Sequence, residues 1–165
     1  MGELEISMTT RRHLLATGVI ATVAASLGGC GDKAAAASFE VTHSDAEWKR
    51  MLPPDSYEVL RHARTERAGT SPLDKNYRKG VYNCRGCALP LFASETKFDS
   101  GTGWPSFWRP LPNATAKGHD GGMMMGTEIH CRRCGGHLGH VFGDGPKPTG
   151  LRYCMNGVSL TFKAA

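Results

Sequence analysis

Two closely spaced cysteine pairs constrain the fold of this chain more than any other feature. Two residues separate Cys84 from Cys87, and two residues separate Cys131 from Cys134. A CxxC turn directs two thiolates to one point, and two such turns complete a tetrahedral zinc site. The long spacer between the pairs predicts that they lie on separate hairpins that the fold brings together. We therefore expect a domain that is held together by one structural Zn²⁺ ion.

The same four cysteines allow other arrangements. In an oxidising compartment they could form two disulfides, and His137 or His140 could replace one thiolate as a metal ligand. Gly135 follows the second pair and permits the positive φ that points backbone amides at the sulfurs, whereas Ala88 follows the first pair. Four thiolates already close the coordination sphere, and a closed site does no chemistry. A catalytic group must therefore lie elsewhere in the chain.

The first thirty residues are typical of an export signal rather than of a folded domain. Arg11-Arg12 precede an uncharged run over residues 14–29, which is shorter than the roughly 20 residues that cross a bilayer. The arginine pair resembles a twin-arginine signal, and the end of the run resembles a lipobox that closes on Cys30. An uncleaved membrane anchor is the alternative.

These features predict an exported protein of the periplasm or cell envelope. We expect residues 1–30 to be the signal, residues 31–43 a tether, and Cys30 the site of a lipid anchor. Contact with a membrane would then occur only through the signal or the lipid.

Composition indicates one domain with many turns. The chain has 165 residues with 21 glycines and 9 prolines, which favours short elements over long helices. The capping-box spacing of Ser44 and Glu47 predicts a short helix, and Pro54 is suited to the first turn of a second one. Apolar residues alternate with polar or small ones over residues 158–162, as in a strand. We expect two helices followed by a mainly β, mostly antiparallel domain within residues 44–165.

Elimination leaves one cysteine without a structural explanation. The chain has 6 cysteines, and removal of the four candidate zinc ligands and Cys30 leaves Cys154. On a strand, Arg152 would share a face with Cys154, and a nearby cation favours the nucleophilic thiolate. Asn156 would follow on that face and offer an amide. A buried and inert cysteine is the alternative.

Two histidines favour the catalytic interpretation of Cys154. His137 and His140 lie three residues apart, and a cysteine with a histidine supplies an activated thiol with a proton donor. Asp144 could orient one of the histidines. Trp104 lies in a turn rich in glycine and proline, where an indole packs in the core or forms the wall of an apolar pocket.

Four segments in this order resemble the B-type methionine sulfoxide reductases, which reduce methionine-R-sulfoxide. They are residues 84–87, 97–107, 137–142 and 150–156. The resemblance covers about residues 44–163 and implies two antiparallel sheets with N-terminal helices and one structural zinc ion. It implies that Cys154 attacks the sulfoxide sulfur and becomes a sulfenic acid, while His137 and His140 bind or protonate the oxygen. The further implied roles are binding of the substrate methyl group by Trp104 and Phe142, and tuning of the thiolate and orientation of the histidines by Arg152, Asn156 and Asp144.

One departure from the family concerns the return of the enzyme to its reduced state. Many members carry a second, resolving cysteine where this chain has Thr102. We therefore expect a one-cysteine cycle in which an external thiol, thioredoxin-like or small, attacks the sulfenic acid.

The expected partners are oxidised proteins or peptides that bear methionine-R-sulfoxide. The net charge of +5 is mild and scattered, so we expect no nucleic-acid partner, and we expect a monomer. For the methionines at 123–125, packing is the favoured interpretation over an exposed, oxidisable run. The rival hypothesis is a non-catalytic, membrane-tethered zinc-ribbon binding module, which leaves Cys154 and Trp104 without a role.

Overall fold

The structure, a computed structural model, describes residues 38–165. The predicted signal, with Cys30, and the first part of the predicted tether lie outside the described residues. Within residues 38–165, no helix combines the length and the apolarity that crossing a membrane requires. The last residues of the predicted tether contact the second cysteine turn, where the N–H of Val41 donates to the carbonyl oxygen of Arg133 at 3.0 Å.

Among residues 38–165, two short helices precede the sheets, as the sequence predicts. Helix α1 is Asp45–Met51 and helix α2 is Pro54–His62. The capping box is present, because the N–H of Ser44 donates to the Glu47 carboxylate at 2.8 Å and the N–H of Glu47 donates to the Ser44 hydroxyl at 3.4 Å. This reciprocal pairing satisfies backbone donors that the first helical turn leaves free.

Within the described part of the chain, nine strands form two antiparallel sheets, which confirms the predicted fold class. The smaller sheet has the strand order β2-β1-β9 and the larger sheet has the order β3-β4-β8-β7-β6-β5. A four-residue helix, α3 (Gly122–Met125), lies in the connection between β5 and β6. The strands are β1 (Gly80–Cys84), β2 (Pro90–Ala93), β3 (Lys97–Phe98), β4 (Ser106–Phe107), β5 (Thr115–Asp120), β6 (Thr127–Cys131), β7 (His137–Phe142), β8 (Arg152–Met155) and β9 (Leu160–Ala164).

The core lies between the two sheets. Phe92 of the smaller sheet stacks on Phe107 of the larger one, with ring centroids 4.3 Å apart, and Tyr82 meets Phe107 edge-on at 4.9 Å. All three rings are fully buried. Burial of each such side chain contributes about 1.5–3 kcal/mol, so this aromatic cluster fixes the smaller sheet against the strands that carry the site.

Two local predictions are wrong. Val158 is not in a strand but in a 3-10 turn, Gly157–Ser159, and β9 begins only at Leu160. The cause is a long-range contact, since the Glu66 carboxylate accepts the N–H of Val158 at 3.0 Å and removes it from the strand ladder. The predicted packing of the methionine run also fails for Met124 and Met125, which are 93% and 64% exposed.

Candidate active site

The four cysteines of the CxxC turns meet in one cluster. Their sulfur atoms all lie within 4.8 Å of one another, with 3.7 Å between Cys84 and Cys134 and 3.5 Å between Cys87 and Cys131. Four sulfurs that each lie 2.3 Å from a central zinc ion would be about 3.8 Å apart, so the donor set fits a tetrahedral metal site. The four cysteines are free of disulfide bonds, and no histidine of the described residues belongs to this cluster.

The cluster joins the two sheets because each turn follows the end of a strand. Cys84 is the last residue of β1 in the smaller sheet, and Cys131 is the last residue of β6 in the larger one. The carbonyl oxygen of each of these residues accepts the N–H of the residue four positions on, Ala88 at 2.8 Å and Gly135 at 2.9 Å. A metal ion bound here would therefore cross-link the sheets.

Cys154 lies on β8 with a strand on each side. Its register partner on β4 is Ser106 and its register partner on β7 is His140. Because directly opposed residues project from the same face of a sheet, the thiol, the hydroxyl and the imidazole share one face. The sheet thus places Cys154 directly beside His140.

The thiol of Cys154 is partly buried among polar groups. Its Sγ lies 3.9 Å from the Thr102 hydroxyl, which is 2.8 Å from the Ser100 hydroxyl, and Ser100 is in turn 2.8 Å from the Ser106 hydroxyl. Burial raises the pKa of the Cys154 thiol, whereas the Thr102 hydroxyl and the positive charge of Arg152 act to lower it. Burial prevails, so the pKa of the Cys154 thiol lies above its usual range.

Arg152 and Asp144 pair with each other rather than with a histidine. The Arg152 guanidinium donates to both oxygens of the Asp144 carboxylate, at 2.9 and 2.8 Å, and lies 4.3 Å from the centre of the Phe142 ring. The prediction that Asp144 orients a histidine is therefore wrong. The physical reason is the β7–β8 register, which places Phe142 opposite Arg152 and carries Asp144 to the arginine.

Glu128, and not Asp144, is the carboxylate that contacts a histidine. Its carboxylate is 2.7 Å from Nδ1 of the buried His137, whose Nε2 has no hydrogen-bond partner among the described residues. Burial raises the pKa of Glu128, but the contact with His137 outweighs it and the pKa falls below the usual range. An ionised Glu128 that accepts from Nδ1–H leaves Nε2 as the free atom of the ring.

The two histidine rings lie side by side. Their centroids are 5.3 Å apart, and only His140 reaches the pocket over Cys154. Burial, and next the electrostatic influence of the neighbouring His137, lower the pKa of His140. Its protonated form is therefore a stronger acid than an ordinary imidazolium and releases a proton more readily.

A pocket of about 130 Å³ opens over the Cys154 thiol. Trp104 and Phe142 supply aromatic walls, as predicted, and His140 supplies a polar one. The lining residues are Thr65, Trp104, Gly139, His140, Phe142, Cys154 and Asn156. The arrangement combines a nucleophile, a proton donor and an apolar wall within the space of one small side chain. We call it the reaction pocket.

The loop residue Glu66 holds two walls of the reaction pocket and was not identified from the sequence. Its carbonyl oxygen accepts the indole N–H of Trp104 at 3.2 Å, and its own N–H donates to the Asn156 amide oxygen at 2.9 Å. Its carboxylate accepts the N–H groups of Gly157 at 2.6 Å and Val158 at 3.0 Å. Burial raises the pKa of Glu66, and these two N–H donors act to lower it.

Asn156 lines the reaction pocket, but its amide is used inside the protein. It accepts from Glu66 and donates to the carbonyl oxygen of Leu138 at 3.1 Å. It therefore ties the end of β8 to β7 and to the Glu66 loop. Its contribution to the pocket is to position neighbouring groups.

Comparison with known proteins identifies the family. The family model of the SelR domain matches residues 52–164. This chain belongs to the B-type methionine sulfoxide reductases. The match spans most of the described domain and confirms the resemblance seen in the four sequence segments.

Three relatives illustrate the similarity, and each carries the name peptide methionine sulfoxide reductase MsrB. The relative from Leptospira interrogans serovar Lai is 51% identical over 129 residues, which are 76% of this chain and 98% of the relative. The relative from Agrobacterium fabrum is 52% identical over 126 residues, 75% of this chain and 93% of the relative. The relative from Methanosarcina barkeri is 51% identical over 125 residues, 74% of this chain and 88% of the relative.

Proposed function

We propose that this reductase converts peptide methionine-(R)-sulfoxide to methionine, with Cys154 as the nucleophile and an external thiol as the reductant. The observation that carries the proposal is the opposition of Cys154 and His140 on adjacent strands beneath an aromatic-walled pocket. Family membership supports the overall reaction. The rival zinc-ribbon hypothesis gives no purpose to this pocket and is not favoured.

The substrate side chain is short enough to enter the reaction pocket from its open side. The apolar methyl group would contact the Trp104 and Phe142 rings, because apolar surface gains most by leaving water there. The sulfoxide oxygen would then point to the polar wall, towards His140. Methyl group and oxygen thus occupy different walls around Cys154, and this arrangement supports selection of one sulfur epimer.

The first chemical step transfers oxygen from the substrate to Cys154. The thiolate attacks the sulfoxide sulfur while a histidine protonates the oxygen, after which that oxygen leaves the substrate sulfur bound to Cys154 as a sulfenic acid. The substrate gains two electrons and departs as a thioether, and the cysteine loses the same two electrons. His140 is the direct proton donor, and His137, held by Glu128, lies beside it.

The second stage restores the thiol. An external thiol attacks the sulfenic sulfur and releases water to give a mixed disulfide, and a second thiol then displaces Cys154 to give the external disulfide. Thr102 supports this route, because its hydroxyl lies 3.9 Å from Sγ of Cys154 and cannot form a disulfide. The other cysteines among residues 38–165 all belong to the four-cysteine cluster.

We further propose that the four-cysteine cluster binds structural Zn²⁺. Four thiolates leave no open coordination position, so the ion would supply folding energy and no chemical step. Cys84, Cys87, Cys131 and Cys134 would be its ligands. We also propose that the protein acts as a monomer after export, anchored through lipidated Cys30, and intact-mass analysis of membrane fractions would test that anchor.

A reductase assay tests the function. Native protein and the Cys154→Ser variant are each mixed with dithiothreitol and a peptide that contains methionine-(R)-sulfoxide, and the (S) epimer serves as control. We expect turnover of the (R) peptide by the native protein only. Mass spectrometry after one substrate equivalent without reductant should show one added oxygen on Cys154. Equal activity of the Cys154→Ser variant would refute the assignment of the nucleophile.

A further inference from the structure

Two exposed methionines stand on the turn between β5 and β6. Met124 is 93% exposed and Met125 is 64% exposed. Neighbouring exposed apolar side chains are found at surfaces that bind other chains. Methionine suits such a surface because its unbranched, polarisable side chain adapts to different partners.

The turn that carries these methionines is held by its own hydrogen bonds. The N–H of Gly121 donates to the carbonyl oxygen of Gly126 at 2.9 Å, and the N–H of Gly126 donates to the carbonyl oxygen of Gly122 at 2.7 Å. The Asp120 carboxylate accepts the N–H of Gly122 at 3.0 Å and the Thr127 hydroxyl at 3.2 Å. The methionines are therefore presented by a closed, defined turn.

A second depression, of about 520 Å³, separates this turn from the reaction pocket. Met125 and His119 line its outer part, and it shares Thr65 and His140 with the reaction pocket. We call it the methionine cleft. Its carboxylate, Glu128, is engaged by His137, Met125 supplies the thioether of its lining, and Met124 is exposed beside Met125.

The small size of the reaction pocket leaves most of a peptide substrate outside it. With about 130 Å³, the reaction pocket holds one side chain and leaves the substrate backbone outside. Successive residues of an extended chain are about 3.3–3.6 Å apart, so the residues next to the sulfoxide reach the adjoining depression. The continuity through Thr65 and His140 therefore directs one flank of the substrate over the methionine cleft.

We propose that the methionine cleft binds apolar side chains that flank methionine sulfoxide in an extended substrate polypeptide. The inference rests on the proposed function and adds to it a preference of the same site for apolar residues next to the sulfoxide. The cleft determines affinity, whereas the reaction pocket performs the chemistry.

The test compares two peptides that differ only in the residues flanking methionine-(R)-sulfoxide, leucine in one and serine in the other. Each is assayed with native protein, with the Met124→Ser/Met125→Ser variant and with Met51→Ser, which removes an exposed methionine of α1 outside the cleft. We expect the native protein to prefer the leucine peptide. The double variant should lose about fivefold of that preference through KM, because less apolar surface is buried. Its rate on the serine peptide, and the preference of Met51→Ser, should match the native values.

Two results would overturn the inference. One is an unchanged peptide preference in the double variant, and the other is an equal loss on both peptides, which would show that the turn supports the reaction pocket. If the native protein turns over neither peptide, the proposed function fails. Calorimetric binding of both peptides to native and double-variant protein would then still decide the inference, and equal affinities for the leucine peptide would overturn it.

Discussion

The two CxxC turns differ at one equivalent position, and replacement of Ala88 by glycine should stabilise the domain. Ala88 has φ +57° and Gly135 has φ +67°, and each N–H closes the same backbone hydrogen bond within its turn. Only one of the two residues is suited to this left-handed conformation. In alanine the Cβ atom crowds the backbone there, whereas glycine has no such atom.

The magnitude follows from the conformation. The left-handed region costs an L-residue about 1–2 kcal/mol, a cost that glycine avoids. Glycine in turn loses about 0.5–1 kcal/mol of this advantage, because it gives the unfolded chain more conformational entropy. The Ala88 methyl group is exposed, so its removal leaves no cavity. We expect a net stabilisation of about 0.5–1 kcal/mol, or about 2–5 °C in melting temperature for a domain of this size.

Thermal melts of zinc-loaded native protein, Ala88→Gly and Gly135→Ala would measure the effect. Gly135→Ala is the matched control, because its added Cβ would meet positive φ and collide with the Phe39 ring. We expect the melting temperature to rise for the first variant and to fall for the second. A melting temperature of Ala88→Gly at or below the native value would refute the reasoning.

Four further predictions concern the reaction pocket and the metal. Glu66→Gln places an amide NH₂ against a backbone N–H, so we expect the free energy of unfolding to fall by about 1–3 kcal/mol. KM should rise, because the Trp104 wall is held less firmly. An unchanged melting temperature and an unchanged KM would contradict this prediction. Burial raises the pKa of Cys154, so the rate of alkylation by iodoacetamide should still be rising above pH about 8.5. A plateau of the alkylation rate below pH 8 in native protein would count against a raised pKa. Arg152→Met removes the cation that favours the thiolate, so it should slow the alkylation of Cys154 at fixed pH. Cys84→Ser should lower both the zinc content, measured by metal analysis, and the melting temperature, measured by calorimetry. A variant that melts at the native temperature would argue against a structural metal.

Local sequence patterns predict those features that depend on a few neighbouring residues. The CxxC spacing predicts the metal cluster because each pair is one turn, and the Ser44 and Glu47 spacing predicts the first helix because a capping box is local. Cys154 was identified by elimination among the cysteines. The family motifs then predict which side chains surround it.

Partners that depend on strand register could not be predicted. Glu128 resembles any surface carboxylate until β6 pairs with β7, where it lies opposite His140 and its carboxylate contacts His137. Glu66 contacts Asn156, which lies 90 positions further along the chain, and no sequence periodicity predicts such a contact. The prediction for Asp144 rests on its proximity to the histidines in the sequence. The register of the β7–β8 hairpin instead places its carboxylate beside Arg152.

The hydrogen-bond ladder that places Cys154 between two neighbours also constrains how this scaffold can diversify. The side-chain period of a strand is two, so a slip of one residue in β8 would turn the thiol to the opposite face of the sheet. Single-residue insertions or deletions inside β4, β7 or β8 would therefore abolish the chemistry rather than adjust it. Thr65, which lies outside every strand and helix, is free of that constraint, and an engineer seeking new peptide preferences would begin there.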